Sequence, residues 1–286
     1  MSFEVEQRLP YLEPYAFGAL MDFLALRAVP GIEEVTDAGY RRTLRLPLGA
    51  GAVELAAGPP CAVLARFRLD DRDDLDAAVR LVRHFLDLDA DSEAIDNALG
   101  HDPLIGALVQ SRPGRRVPHA VDGVELAARA VLGQQVSVKG ARTLAARLVR
   151  RLGTPLAEPD GGLTHLFPGP EANAAGDLDG LGLTSARVRT IHHLGAAMAS
   201  GELRLEPDGE TNIATSQLVA LPGIGPWTAS YVALRVLGDP DAFLATDLGV
   251  RHVLTRLGQP SDPAGAAAVA ERWRPWRAYA LMHLWG

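Results

Sequence analysis

Between residues 213 and 236 apolar side chains recur at helical spacing, stop, and recur again: Ile213, Leu218 and Val219 before a turn, then Ala229, Val232, Ala233 and Val236 after it. The turn reads LPGIGPW (221–227), with Gly223 and Gly225 bracketing Ile224. Glycine tolerates conformations and close approaches that a Cβ would block. Pro226 suits the first turn of a helix, where its missing N–H is not needed. The pattern predicts two helices joined by a hairpin. Free N–H groups at the start of the second would attract an anion, most simply a phosphate. An ordinary turn between two helices fits the same pattern.

Nearer the N-terminus the period changes. Residues 37–68 hold short alternating or β-rich runs (TLRLPL, AVELAAG, CAVLARFRL) separated by Gly and Pro turns at 49–51 and 58–60, the pattern of antiparallel strands. An amphipathic helix is predicted before them, over residues 16–28, and another after them, over 73–87, opening on Asp73, Asp74 and Asp76. From residue 90 onward the pattern is helical, broken by loops at 112–120, 153–170 and 205–210; the Pro/Gly-rich stretch 154–170 reads as a loop rather than a linker. The expected fold is α+β: an antiparallel sheet with helices over residues 1–90, then a helical unit over 91–286.

Beyond the hairpin, Asp241–Leu244 reads as a short extended link, and a helix is predicted from Thr246–Asp247 to Leu257, stopped by Gly258. Thr246 is the expected N-cap. Asp247 then falls in the first turn, where the partial positive charge of the helix end favours an ionised carboxylate. An acid at that place is also a common structural device.

Taken together, the hairpin, Trp227, the helix after it and Asp247 resemble the helix–hairpin–helix/Gly-Pro-Asp superfamily of DNA glycosylases. The segments VLGQQVSVKGARTLAARLV (131–149), LGLTSARVRTIHHLGAAMASGEL (181–203), ERWRPWRAYALMHLW (271–285) and PYAFGALMDFLALRAVPGIEEV (14–35) resemble its DNA-3-methyladenine glycosylase II branch, the AlkA type. The likeness covers nearly the whole chain in order. It implies a small N-terminal sheet likened to half of a TATA-binding fold, and two helical subdomains with the active-site cleft between them.

Composition fits a globular protein: 286 residues, 48% hydrophobic and 22% charged. No apolar run approaches a membrane span, and the N-terminus lacks a signal-peptide core. The single cysteine, Cys61, cannot form an internal disulfide, which suits a reducing, cytoplasmic interior. A monomer working near the bacterial nucleoid is expected, with no membrane partner. A net charge of −7 looks wrong for a DNA binder, but the acidity is regional. Residues 1–100 carry 18 acids and 10 bases, whereas 111–151 carry 9 bases and 2 acids. That basic segment flanks GQQVS, where it would neutralise a DNA backbone; arginine-rich runs also serve as solvated helix faces.

Several chemistries are absent from the sequence. There is no Cys-x-x-Cys, and one cysteine cannot hold an iron–sulfur cluster. The eight histidines show no zinc spacing, and His192 and His193 are adjacent, so on a helix they diverge. No phosphate-binding or dinucleotide motif is present. No cofactor is expected beyond a structural Na or K ion, which the resemblance implies on the backbone carbonyls of Val219, Leu221 and Ile224.

Cleaving a base from deoxyribose passes through an oxocarbenium-like transition state, which an ionised carboxylate stabilises. Asp247 is the expected catalytic group. The base must first be flipped from double-stranded DNA, and an alkylated, cationic purine attracts aromatic faces. Trp227 and Tyr231, four residues apart on one helix face, are candidate walls. Trp285 matches the family's pocket tryptophan; core packing is its alternative role and the expected one for Trp273 and Trp276. Expected DNA contacts are Gly223, Gly225, Gln134, Gln135 and Ser137. Gln135 stands where relatives often carry an aliphatic wedge, and Thr246 where they often carry a second acid; exposed helix polarity is the other reading of both glutamines. Lysine occurs once, as Lys139, and Trp227 holds the place of the Schiff-base lysine of lyase relatives. The expected activity is monofunctional excision of alkylated purines such as 3-methyladenine and 7-methylguanine. The alternatives are a bifunctional glycosylase/lyase and a non-catalytic DNA-binding module.

Overall fold

A computed structural model describes residues 2–207 and 209–286 of the chain. Its N-terminal part is a five-stranded antiparallel sheet. The elements run β1 (Phe3–Pro10), α1 (Phe17–Arg27), β2 (Glu33–Thr36), β3 (Gly39–Arg45), β4 (Ala50–Ala57), β5 (Ala62–Leu69) and α2 (Leu75–Phe85), with strand order β1-β5-β4-β3-β2. Alternation explains the burial. On β5, Val63, Ala65, Phe67 and Leu69 are buried, while Arg66 and Arg68 point the other way. The buried face packs on Leu20 and Leu24 of α1 and on Ala78, Val82 and Phe85 of α2. Two strands were not expected. β1 alternates half-buried and exposed positions, its signal being the alternating FEVEQRL. β2 has only four residues and is held by pairing with β3.

The rest is mostly helical: α3 (Ser92–Gly100), α4 (Gly106–Ser111), α5 (Gly123–Leu132), α6 (Val138–Leu152), a hairpin of β6 (Thr154–Asp160) and β7 (Leu163–Leu166), α7 (Pro170–Ala175), α8 (Ser185–Ala199), α9 (Thr211–Ala220), α10 (Pro226–Val232) continuing as a π-helical turn Ala233–Leu237, α11 (Leu248–Arg256), α12 (Pro263–Ala270) and α13 (Arg277–Trp285). The β6–β7 hairpin corrects the loop expected at 153–170. Its strands bond to each other and to the sheet region: Thr164 N–H donates to Gly31 O at 2.8 Å, Gly162 N–H to Glu34 Oε1 at 3.2 Å, and Arg41 pairs with Asp160. Proline and glycine hid the strands, because Pro155 and Pro159 occupy a pairing with a register irregularity and Gly161 turns the hairpin at φ 58°. The expected loop at 112–120 is present, and that at 205–210 includes Asp208, outside the described residues.

A buried charge network joins sheet to helices. Arg42 of β3 pairs with Glu33 at 3.3 Å and Glu125 of α5 at 2.7 Å, and Arg129 pairs with Glu33 at 3.0 Å and Glu125 at 2.7 Å. Tyr40 donates its hydroxyl proton to Glu33. Burial alone would raise the Glu33 carboxyl, but Arg129 and Arg42 outweigh it and hold it below the usual carboxylate range.

Candidate active site

Gly223 is the one hairpin residue whose glycine identity is forced twice. Its φ is 88°, and a Cβ there would lie 2.0 Å from Thr190 Oγ1 of α8. Thr190 donates its hydroxyl proton to Pro222 O at 3.0 Å, clamping the turn onto α8. Gly225 caps α10 in extended geometry with open space where a Cβ would stand, so its backbone faces outward. Of the apolar positions read before the turn, only Leu218 is fully buried; Ile213 and Val219 are 52% and 47% exposed, and Ala214 takes the inward place.

The GQQVS segment splits by role. Gln134 faces inward and braces the hairpin: its Nε2 donates to Gly223 O at 3.0 Å and to Thr228 Oγ1 at 3.2 Å, while Arg187 donates to its backbone carbonyl. Gln135 is exposed and left-handed at φ 55°, a conformation few non-glycine residues adopt. Ser137 caps α6, accepting from Gly140 N–H at 3.1 Å. The basic segment mostly turns inward. Arg116, Arg142 and Arg147 donate to the carbonyls of Asp87, Ala28 and Leu181, Arg112 donates to His283 O, and Arg129 joins the buried network. These arginines hold the chain to itself, a use that neither reading of the segment, DNA-backbone neutralisation or a solvated helix face, included.

Asp247 itself, not Thr246, is the N-cap of α11: Asp247 Oδ1 accepts from Val250 N–H at 3.0 Å. The expected cap was one residue early. Aspartate ranks above threonine as an N-cap, and two tryptophans from other helices also reach the acid. Trp227 Nε1 donates to Oδ2 at 3.1 Å, and Trp285 Nε1 donates to Oδ1 at 3.1 Å. An ionised carboxylate offers about four lone-pair positions, and these bonds occupy three of them. The carboxylate is thus oriented by uncharged donors and stays half-exposed.

Asp247, Trp227, Tyr231 and Trp285 line one cavity of about 630 Å³. Trp227 and Tyr231 stack with centroids 5.1 Å apart and planes 7° from parallel. That spacing is one stacking distance, so the two rings leave no room for a third ring between them. Trp273 is buried in the core, and the half-buried Trp276 packs edge-on to Tyr279. The chain's lysine, Lys139, is exposed on α6 and is not among the residues lining the cavity, although its neighbour Val138 is.

A further part of the lining was not anticipated. Arg27 Cζ lies 3.7 Å from the Phe23 ring centroid and Arg235 Cζ 5.0 Å from it; Arg235 also lies 5.5 Å from the Tyr231 ring. Arg235 is buried in the π-helical turn, bonded to the carbonyls of Pro118 and His119 and to Tyr231 Oη, and no carboxylate pairs with it among the described residues. Burial pulls its guanidinium below the usual arginine range. The signal was present: an arginine inside the apolar run VALRVL.

Known proteins resemble this chain in sequence and fold. Residues 6–122 match the family described as AlkA N-terminal domain, and residues 128–278 the family described as HhH-GPD superfamily base excision DNA repair protein. A probable bifunctional transcriptional activator/DNA repair enzyme AlkA of Mycobacterium tuberculosis is 50% identical over 98% of the chain; the chain spans 56% of that relative's length. DNA-3-methyladenine glycosylase 2 of Escherichia coli is 36% identical, with 97% of the chain and 95% of the relative covered. The structure of a 3-methyladenine DNA-glycosylase from Archaeoglobus fulgidus superposes with a TM-score of 0.84 at 25% identity, covering 98% of the chain and 97% of the other.

Proposed function

The chain belongs to the HhH-GPD superfamily of base excision DNA repair proteins, and from that premise we propose that it is a monofunctional DNA glycosylase that excises alkylated purines from double-stranded DNA. The observation that carries the reading is Asp247, fixed at the mouth of α11 by two indole N–H groups and turned to an aromatic-lined cavity. In the proposed reaction the base enters the cavity and stacks on the outer face of Trp227 or on Trp285. The C1′–N bond breaks with its electron pair leaving on the base. The Asp247 carboxylate faces the developing positive charge of the sugar and orients the water that adds to C1′, one of whose protons passes to Asp247 or to solvent. A base alkylated at N3 or N7 leaves already neutralised, so it needs no acid to assist it. No lysine lines the cavity to form a Schiff base, which favours hydrolysis without strand cleavage.

In the same reading Gly223 and Gly225 present backbone N–H groups to phosphate without reading sequence, and Gln135 and Ser137 meet the DNA beside them. Gln135, already on an exposed left-handed turn, fills the gap left by the flipped base. The carbonyls of Val219, Leu221 and Ile224 would hold a Na or K ion. The support is that α9 ends at an extended Leu221 (φ −75°, ψ 131°), which leaves the Val219 carbonyl without an intrahelical partner, while the Leu221 carbonyl already accepts from Ile224 N–H at 3.1 Å. The division at residue 90, a monomeric state and a cytoplasmic, nucleoid-associated site of action belong to this reading too. Among the described residues no helix is long and apolar enough to cross a membrane.

The test is base release from methylated duplex DNA, with a strand-nicking control, by wild type and Asp247→Asn. Loss of the charge should slow release by about 10²–10³ with DNA binding retained. Near-normal turnover would remove Asp247 from the mechanism, and nicking by the wild type would overturn the monofunctional reading.

A further inference from the structure

Tyr231 and Arg235 form the part of the cavity wall that the reaction above leaves idle. Arg235 Nη1 donates to Tyr231 Oη at 2.6 Å. A guanidinium only donates, so the tyrosine oxygen is the acceptor and its own proton must point elsewhere. No hydrogen bond among the described residues uses that proton, and Tyr231 lines the cavity. Arg235 cannot swing away from this role. It is 5% exposed, its Nε is bonded to the Pro118 carbonyl, and its Nη2 lies 3.5 Å from His119 O. A buried cation without a carboxylate partner is costly to keep; one that polarises a hydroxyl at a binding site gives that cost a purpose.

We infer that Tyr231, oriented by Arg235, donates a hydrogen bond to the leaving base, a contact that helps neutral purines, which leave as anions, more than alkylated ones. The inference rests on the glycosylase reading. When a neutral purine departs, the C1′–N9 bond breaks and both electrons pass to the purine. A water oxygen bonds to C1′, one of its protons passes to Asp247 or to solvent, and the purine anion takes a proton from solvent. Tyr231 keeps its proton and hydrogen-bonds the purine nitrogen or oxygen on which negative charge gathers. A cation behind the hydroxyl strengthens that bond. An alkylated purine loses positive charge instead of gaining negative charge, so the same donor helps it less.

The experiment compares release of hypoxanthine, a neutral 6-oxo purine, and of 7-methylguanine from otherwise identical duplexes. Tyr231→Phe keeps the stacking ring and removes the hydroxyl. Its ratio of hypoxanthine to 7-methylguanine release should fall about tenfold or more relative to wild type. Arg235→Met, which keeps the apolar stem, should shift the ratio the same way; thermal unfolding reports whether it folds, and Tyr231→Phe decides the matter alone if it does not. An unchanged ratio in Tyr231→Phe overturns the inference, as does a wild type that releases 7-methylguanine but no hypoxanthine. A wild type that releases neither base overturns the glycosylase reading instead.

Discussion

Glu33 and Asp247 line the same cavity, yet arginines hold the one and tryptophans the other. Glu33 is buried, bonded to Arg42, Arg129, Tyr40 and the Val29 N–H, and its charge is cancelled where it stands. Asp247 is half-exposed and bonded only to uncharged N–H donors. Neutral donors orient a carboxylate without neutralising it, so its field stays directed at whatever enters the cavity. The same residue chemistry serves cohesion where a full positive charge answers it; where only dipoles do, the charge stays available for the proposed reaction.

The most forceful way to break this contrast is Glu33→Gln. Removing one member of a buried ion network leaves its partners uncompensated and should cost about 3–5 kcal/mol of stability, read by urea unfolding. The fraction that stays folded should keep its base-release rate. A folded Glu33→Gln protein as slow as Asp247→Asn would erase the distinction between the two acids.

His283 extends the comparison to a titratable group with no hydrogen-bond partner at either ring nitrogen among the described residues. Burial, with Arg115 and Arg112 nearby, pushes its pKa down to about 4. Asp96 stands 3.9 Å away, too far for the hydrogen bond that would oppose this. In the unfolded chain the imidazole titrates near 6.5, so between the two values the unfolded state binds more protons. Stability should be complete above about pH 6.5 and fall by about 3 kcal/mol as the pH drops toward 4. His283→Leu should flatten that part of the stability–pH curve; an unaltered slope would assign the acid sensitivity elsewhere.

The finest probe is Trp285→Phe, which keeps a ring in the wall and deletes one N–H donor to Asp247. A hydrogen bond to a charged group contributes about 1.5–3 kcal/mol. If orientation by neutral donors matters, kcat should fall by about tenfold with KM changing less. Loss confined to KM would make Trp285 a stacking surface only.

Much of this fold was readable from residue order. The hairpin, the helix containing Trp227 and Tyr231, the helices at 16–28 and 73–87 and three of the sheet strands follow from periodicity and glycine placement, because one-sided burial imprints its own spacing on the chain. The β6–β7 hairpin escaped because its prolines and glycines carry loop signals and its stability comes from bonds to residues more than a hundred positions away, such as Arg41 to Asp160. The inward turn of the basic segment escaped for a related reason. Arginine can snorkel or bury, and only the neighbouring carbonyls decide which.

Asp247 marks the boundary most clearly. Its type, its place at a helix start and its distance from the glycine hairpin are properties of the sequence; they fit a structural helix-end acid equally well, and only the family resemblance marked it as the expected catalytic group. That Trp227 and Trp285 hold it from positions 20 and 38 residues away, and that Arg235 backs Tyr231 while bonded to a carbonyl 117 residues distant, were decided by tertiary packing. Local order specifies which groups a helix end or strand presents, since backbone geometry repeats over a few residues. Which donor meets which acceptor depends on how whole helices are set against one another, and no single segment carries that information.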